Sequence, residues 1–351
     1  MAYTTVNKST AHFNTITYTG NAASTRAITG VGFQPDFLWI KNRDDGTRYH
    51  VVADVVRGAN GSGAMNLIYP NDTQSQNTSD TTNIKSLDSD GFTVGSDNNV
   101  NKNSAGHVAW NWKGGGTGSS NSDATGSYPI TSTVSANTTA GFSIVKYTNP
   151  SSGSPFTVGH GLGAAPKMVI IKNLSATAAW SVYHVGPGFG KYLQLNSTSD
   201  EAAANLVTAT SSTTYSSYYD HHTAGNELIA YCFAEIKGFS KIGKYRANGN
   251  ANGPMVYTGF KPAFVLFKEY TGPGSSNWVI QDSKREGYNP NNNRLFPNDS
   301  AAENTSSFRI DMLSNGFKLR SSDSDANRDG NDFLYMAFAE HPIVSSNDVP
   351  A

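Results

Sequence analysis

The chain has 351 residues, 26 Lys and Arg against 27 Asp and Glu, 34 glycines, one cysteine, and charged residues at only 15%. A net charge near zero, evenly spread, leaves no basic stripe for phosphates or for an anionic membrane surface, so neither nucleic acid nor membrane insertion is expected. The length suggests two or three domains, and the wealth of Gly, Ser, Thr, Asn and aromatic residues suggests an all-β chain with many turns. The start, Met1-Ala2-Tyr3-Thr4-Thr5, lacks the charged and apolar regions of a signal peptide, and no apolar run approaches a bilayer span. Cys232 sits alone in the apolar run 228–233 and reads as a small core residue. The expectation is a soluble protein made in a reducing cytoplasm.

Taken in order, the first predicted element is the alternating stretch Phe13-Asn14-Thr15-Ile16-Thr17-Tyr18, a half-buried strand. Next comes Pro35-Asp36-Phe37-Leu38-Trp39-Ile40-Lys41, a short apolar run between a proline and a lysine. Strands follow at 49–54 and 66–69, the latter stopped by Pro70-Asn71-Asp72. A hairpin is predicted where 84–87 and 92–94 flank Asp88-Ser89-Asp90-Gly91, and a closing strand at 107–112. Residues 114–140 open with Gly114-Gly115-Gly116-Thr117-Gly118 and read as a Gly/Ser/Thr-rich linker.

The same series then returns. The proline and lysine recur as Pro166 with Lys172 and Pro262 with Lys268, always six residues apart. Middle strands recur at 180–184 and 278–282, and closing strands at 228–235 and 333–340. Phe233 and Phe338 occupy the place of Trp112, and Pro297-Asn298-Asp299 that of Pro70-Asn71-Asp72. The repeat predicts three tandem antiparallel β-sandwiches of the jelly-roll or concanavalin-A-like kind: 1–113, 141–237 and 238–345, with a tail at 346–351. The repeated lysine reads as the point where each strand leaves its core for solvent, so the proline–lysine strand is a fold feature before it is a site.

Four groups of residues could carry chemistry. Asp323, Asp325, Asn327 and Asp329 alternate oxygen side chains in one loop, a pattern suited to calcium. Against an EF-hand stand Arg328 at the sixth position and Leu334 at the twelfth, and the plainer alternative is a solvated loop of Asx-turns. His160, His184, His221 and His222 lack the spacing of a zinc site. Asp54 and Asp282 occupy matching places, but His184 replaces them in the second unit and no second acid accompanies them, so no glycosidase pair forms. With no nucleophile elbow either, no enzyme is expected. Tyr215, Tyr218 and Tyr219 lie in a polar tract and could form a platform for a sugar or a partner protein; the alternative is a strand edge with one face buried.

The opening Met1-Ala2-Tyr3-Thr4-Thr5-Val6-Asn7-Lys8-Ser9-Thr10, the segment from Thr29 to Arg43, and the closing Ala337-Phe338-Ala339-Glu340 resemble virion proteins of tailed bacteriophages. The resemblance spans nearly the whole chain and is weakest in the middle copy, where Leu162 replaces the phenylalanine before the proline. It implies sandwich domains of unknown function in a structural role on the virion surface, docked on other virion proteins, with homo-oligomers, trimers among them, as the assembly. It supplies no catalytic residues. A tail-associated appendage or fibre component that contacts host surface glycans is the leading expectation. A capsid decoration protein is the alternative, and a carbohydrate-binding module or glycan-degrading enzyme the second. No cofactor other than calcium is expected.

Overall fold

A computed structural model describes residues 4–342, apart from 126–127, 151–154, 219–221, 274 and 307–309. The protein is almost entirely antiparallel β-sheet, arranged as three pairs of layers. In the first pair the strands are β1 (Phe13–Thr19), β2 (Arg26–Thr29), β3 (Phe37–Asn42), β4 (Val51–Asp54), β5 (Ile84–Asp88), β6 (Gly91–Val94) and β7 (Gly106–Trp112). An inner sheet runs β1-β7-β3-β4 and an outer one β2-β6-β5.

The second pair begins inside the predicted linker. β8 (Ser119–Asn121) and β10 (Ser132–Asn137) pair with each other, and β10 continues onto β11 (Phe142–Thr148); a short strand β9 (Pro129–Ile130) lies between them in sequence. The linker expectation is therefore corrected. Val134 alternates inward and is buried among the core residues of the second pair, so this stretch is sheet despite its composition. The remaining strands are β12 (Phe156–Gly159), β13 (Met168–Asn173), β14 (Ser181–His184), β15 (Lys191–Gln194), β16 (Ala202–Ala203), β17 (Ala209–Thr210), β18 (Thr214–Ser217) and β19 (Glu227–Phe233). They form an eight-stranded inner sheet, β16-β15-β14-β13-β19-β11-β10-β8, and an outer sheet, β17-β18-β12-β9.

The third pair uses β20 (Ser240–Arg246), β21 (Met255–Tyr257), β22 (Pro262–Glu269), β23 (Val279–Asp282), β24 (Ile310–Leu313), β25 (Gly316–Leu319) and β26 (Asp332–Ala339), with inner order β20-β26-β22-β23 and outer order β21-β25-β24. Two one-turn helices, α1 (Asn98–Asn101) and α2 (Ser324–Asn327), lead into β7 and β26.

The proline–lysine strands β3, β13 and β22 are each the third strand of the series opening, closing, proline–lysine, middle. Side chains alternate across a strand, so an apolar run without polar interruption needs cover on both faces. One face packs on the strand's own outer sheet: Leu38 and Ile40 in the first unit, Val169 and Ile171 in the second. The other face carries Phe37 and Trp39, Met168 and Ile170, Phe264 and Leu266, and all of these belong to one hydrophobic core shared by the three units.

The registers are equivalent. Phe37 lies opposite Trp112, Met168 opposite Phe233, and Phe264 opposite Phe338. Trp112, Phe233 and Phe338 then meet one another, with ring centroids 6.5, 6.2 and 5.8 Å apart around the triangle. Phe13 stacks on Phe338 at 5.1 Å, and Phe37 packs edge-on against Tyr231 at 4.5 Å. The three sheet pairs thus stand around a common aromatic centre with approximate three-fold symmetry. Each pair has a core between its layers, but its inner face is covered only by the other two.

A unit excised from this ring would expose a whole apolar sheet face. The expected result is one cooperative unfolding transition for the intact chain, with calorimetric and van't Hoff enthalpies in agreement. Phe233→Ala should lower that transition, at a cost of about 3–5 kcal/mol, without splitting it. Separate transitions by differential scanning calorimetry would show independent domains instead.

Candidate functional site: seams between the units and their loops

The repeated lysines do not reach solvent. Lys41, Lys172 and Lys268 are each 0% exposed. Their parity explains why: each lies two residues beyond Trp39, Ile170 or Leu266 and so shares the face that the other units cover. Lys41 Nζ donates to the carbonyl of Ser300 in the third unit, 2.9 Å away, and to its own unit at Asn42 and Arg48. Lys172 Nζ donates to Thr73 of the first unit at 2.8 Å and to Ala178. Lys268 Nζ donates to Thr198 of the second unit at 3.1 Å. Each lysine therefore bonds the equivalent carbonyl of a neighbouring unit, and the third bond closes the circle. Burial pulls all three ammonium groups down to about 8.

A second contact repeats at each seam. Trp180 Nε1 donates to Tyr69 O and Trp278 Nε1 to Gln194 O, both at 2.9 Å. His50 stands in the same column of the first unit, and its Nε2 donates to Phe296 O at 3.0 Å while Nδ1 accepts from Trp39 Nε1. The backbone N–H groups of His50, Trp180 and Trp278 each donate at 2.8 Å to an asparagine side chain: Asn71, Asn196 and Asn298. The carbonyls that receive the ring N–H and the lysine lie two residues before and two after the equivalent asparagine of the neighbouring unit.

A third contact uses the column of Asp54, His184 and Asp282. Asp54 is paired with Arg57 and accepts from Tyr231 Oη of the second unit at 2.7 Å. Asp282 is paired with Arg285 and accepts from Trp110 Nε1 of the first unit at 3.0 Å. Met336 stands where Tyr231 and Trp110 stand in their strands, and its side chain has no hydrogen to donate. There His184 reverses the bond, with Nε2 donating to Tyr335 O at 3.2 Å and Nδ1 accepting from Gly186 N. Replacement of the aspartate by His184 is thus matched across the seam. Burial lowers the His184 imidazole to about 4 and holds His50 well below its usual range.

In the loop expected to hold calcium, the side chains of Asp323, Asp325 and Asn327 are engaged by the protein. Asp323 caps α2 by accepting from Asp325 N, and its other oxygen takes Arg294 Nη1 at 2.9 Å. Asp325 accepts from the backbone and side chain of Asn277. Asn327 is fully buried and bonds Asn248, Asn250 and Ser321. Asp329 lies beside Gly249. The first unit repeats this plug without the acidity: Asp97 caps α1, and buried Asn101 bonds Asn21, Ala23 and Gly95. The spacing therefore serves capping and a buried amide. Among the described residues no three His, Cys, Asp or Glu side chains form a group suited to a metal.

The tyrosine platform is also corrected. Tyr215, on β18, is fully buried in the core of the second unit, 6.4 Å from the Tyr147 ring, because strand alternation turns it inward. Tyr218 is half-buried, and Tyr219 lies outside the described residues, as does His221. Cys232 is fully buried, and burial pushes its thiol up to about 12. His50 carries no motif of its own in the sequence; its one signal is the column it shares with Trp180 and Trp278, all with a ring N–H.

Residues 8–342 match the family described as Domain of unknown function (DUF7483). The chain belongs to that family. A single DUF7483 match runs from before β1 to beyond β26, so the family model takes in the ring of three units as one piece. No curated protein matches the chain.

Replacing one seam lysine by methionine would leave buried carbonyls without a donor. Lys41→Met and Lys172→Met should each cost about 1–3 kcal/mol in urea titrations, whereas exposed Lys284→Met should stay within about 0.5 kcal/mol. Equal effects at all three positions would show that the seams contribute nothing.

His50 and His184 also fix a pH dependence. Their folded pKa values lie below the unfolded value, so the unfolded chain binds more protons between about pH 6.5 and 4. The contribution of these two imidazoles is complete above about pH 6.5 and falls as the pH drops through that window. The slope of urea midpoint against pH should flatten in His184→Asn.

Proposed function

We propose that this protein is a structural component of a bacteriophage particle, a tail-associated appendage protein displayed on the virion surface, without enzymatic activity. The observation that carries this reading is the closed ring of seams. Chemically demanding groups, three lysines, two Asp–Arg pairs and two histidines, are spent on holding the units together. Buried ionic groups hold a unique arrangement only when every partner is in place, which suits a part that must keep its shape in a larger assembly. The loops that follow the middle strands differ between the units, and their exposed tips are free to dock on other virion proteins and to meet host surface glycans. The sequence resemblance to tailed-phage virion proteins supports the same reading.

Antibodies raised against the purified protein should label intact particles at the tail in electron micrographs. Labelling over the head would make it a decoration protein, and absence of the protein from purified particles would overturn the virion assignment. Hydrolysis of host polysaccharide by the purified chain would overturn the non-enzymatic part.

A further inference from the structure

We propose that a hollow beside Tyr288, in the third unit, binds a neutral sugar. The ring lies against the tyrosine and one hydroxyl-bearing arm enters the hollow. This deepens the glycan contact proposed above and rests on that reading.

Tyr288 is 70% exposed, the highest value among the large apolar and aromatic side chains described. It does not hang on a loose loop. Glu286 accepts from the backbone N–H groups of Asn292, at 2.5 Å, and Asn293. Asn289 bonds both backbone groups of Met312, donating to its carbonyl at 3.0 Å and accepting from its N–H at 2.8 Å. Asn291 donates to Asp282 O at 2.8 Å, which ties the loop to the seam. An aromatic ring held out to solvent on a fixed loop loses little freedom on binding.

The hollow next to it has a volume of about 40 Å³ and is lined by Tyr288, Lys261, Ser283, Asn289, Asn291 and Met312. A space of this size takes a hydroxymethyl group or a few waters, not a whole sugar ring, so the ring must lie outside it, on the tyrosine. Ser283 is one of the lining residues; its Oγ has no hydrogen-bond partner among the described residues and is closed to solvent as placed, and a turn about its Cα–Cβ bond would present it to an entering group. A hydroxyl can both donate and accept, as an entering sugar hydroxyl requires. Met312 adds an apolar wall.

Charge narrows the ligand. The ammonium group on the rim, Lys261, is offset by Glu340 at 2.6 Å. The other lining residues are neutral, so the hollow has no net charge with which to select a carboxylate or a phosphate. An apolar ring face, a polar arm and zero charge describe a neutral hexose or N-acetylhexosamine, as distinct from a sialic or uronic acid.

The test is saturation-transfer NMR with the full chain. The probes are maltotriose, cellotriose and chitotriose, with sialyllactose and a uronate trisaccharide as charged comparators. At least one neutral trisaccharide should show transfer to its ring protons, with affinity falling about tenfold or more in Tyr288→Ala. Ser283→Val should weaken it a few-fold, and Tyr218→Ala should leave it unchanged. Circular dichroism and the urea midpoint show whether each variant is folded. Binding undiminished in folded Tyr288→Ala, a preference for the charged sugars, or no transfer to any neutral probe would each overturn the site. Particle labelling is a separate readout, so the virion assignment can stand where this site fails, and the reverse.

Discussion

Everything in this fold depends on the contact of three aromatic rings, Trp112, Phe233 and Phe338, at the end of three equivalent strands. A β-sheet with two apolar faces cannot stay half covered in water. Each inner sheet has one face on its own outer sheet and the other on its two neighbours, so the number of units and their closure are both set by burial. The hydrophobic term is non-directional, however, and would tolerate units rotated about the centre or shifted along it. The hydrogen bonds at the seams remove that freedom.

Those bonds show how a repeat becomes specific. The lysine and the ring N–H each reach an equivalent carbonyl of the adjacent unit, the two aspartates accept from the adjacent closing strand, and at the one seam where Met336 stands in place of a donor, His184 donates instead to the neighbouring carbonyl of Tyr335. Each buried polar group costs free energy unless its partner is placed within hydrogen-bond reach. A unit in the wrong register would leave several of them unsatisfied at once. The centre supplies most of the stability, and the seams decide which arrangement has it.

This division also places variation. The seam residues are tied to one another and leave little room for change, whereas the exposed tips of the loops that follow the middle strands bear fewer such constraints. Three equivalent loops follow the middle strands. One is glycine-rich, from Gly58 to Gly63; one carries Phe189, 52% exposed and stacked on Tyr183; and one carries Tyr288. A rigid ring with differing outer loops is a scaffold for contacts made at its rim.

The sequence by itself determined the all-β class, the internal repeat and most strands of the inner sheets, because period-two patterning, turn residues and equal proline–lysine spacing are local signals; the strand expected at 66–69 makes only isolated bridges, and β2, β12, β21 and β24 were not expected. It also showed Trp112, Phe233 and Phe338 as one column. What it could not determine was which side of a strand each neighbour would cover. Lys41, Lys172 and Lys268 therefore read as strand ends in water and residues 114–140 as a linker, and Tyr215 could be either a surface ring or the buried face of a strand edge. For Asp323, Asp325, Asn327 and Asp329 a calcium loop and a loop of Asx-turns stood side by side, because a capping pattern and a calcium pattern use the same oxygens at similar spacing. Only the tertiary structure decided these points, since burial belongs to the packing of one unit on another, and an unbroken apolar run is compatible with one covering partner or two.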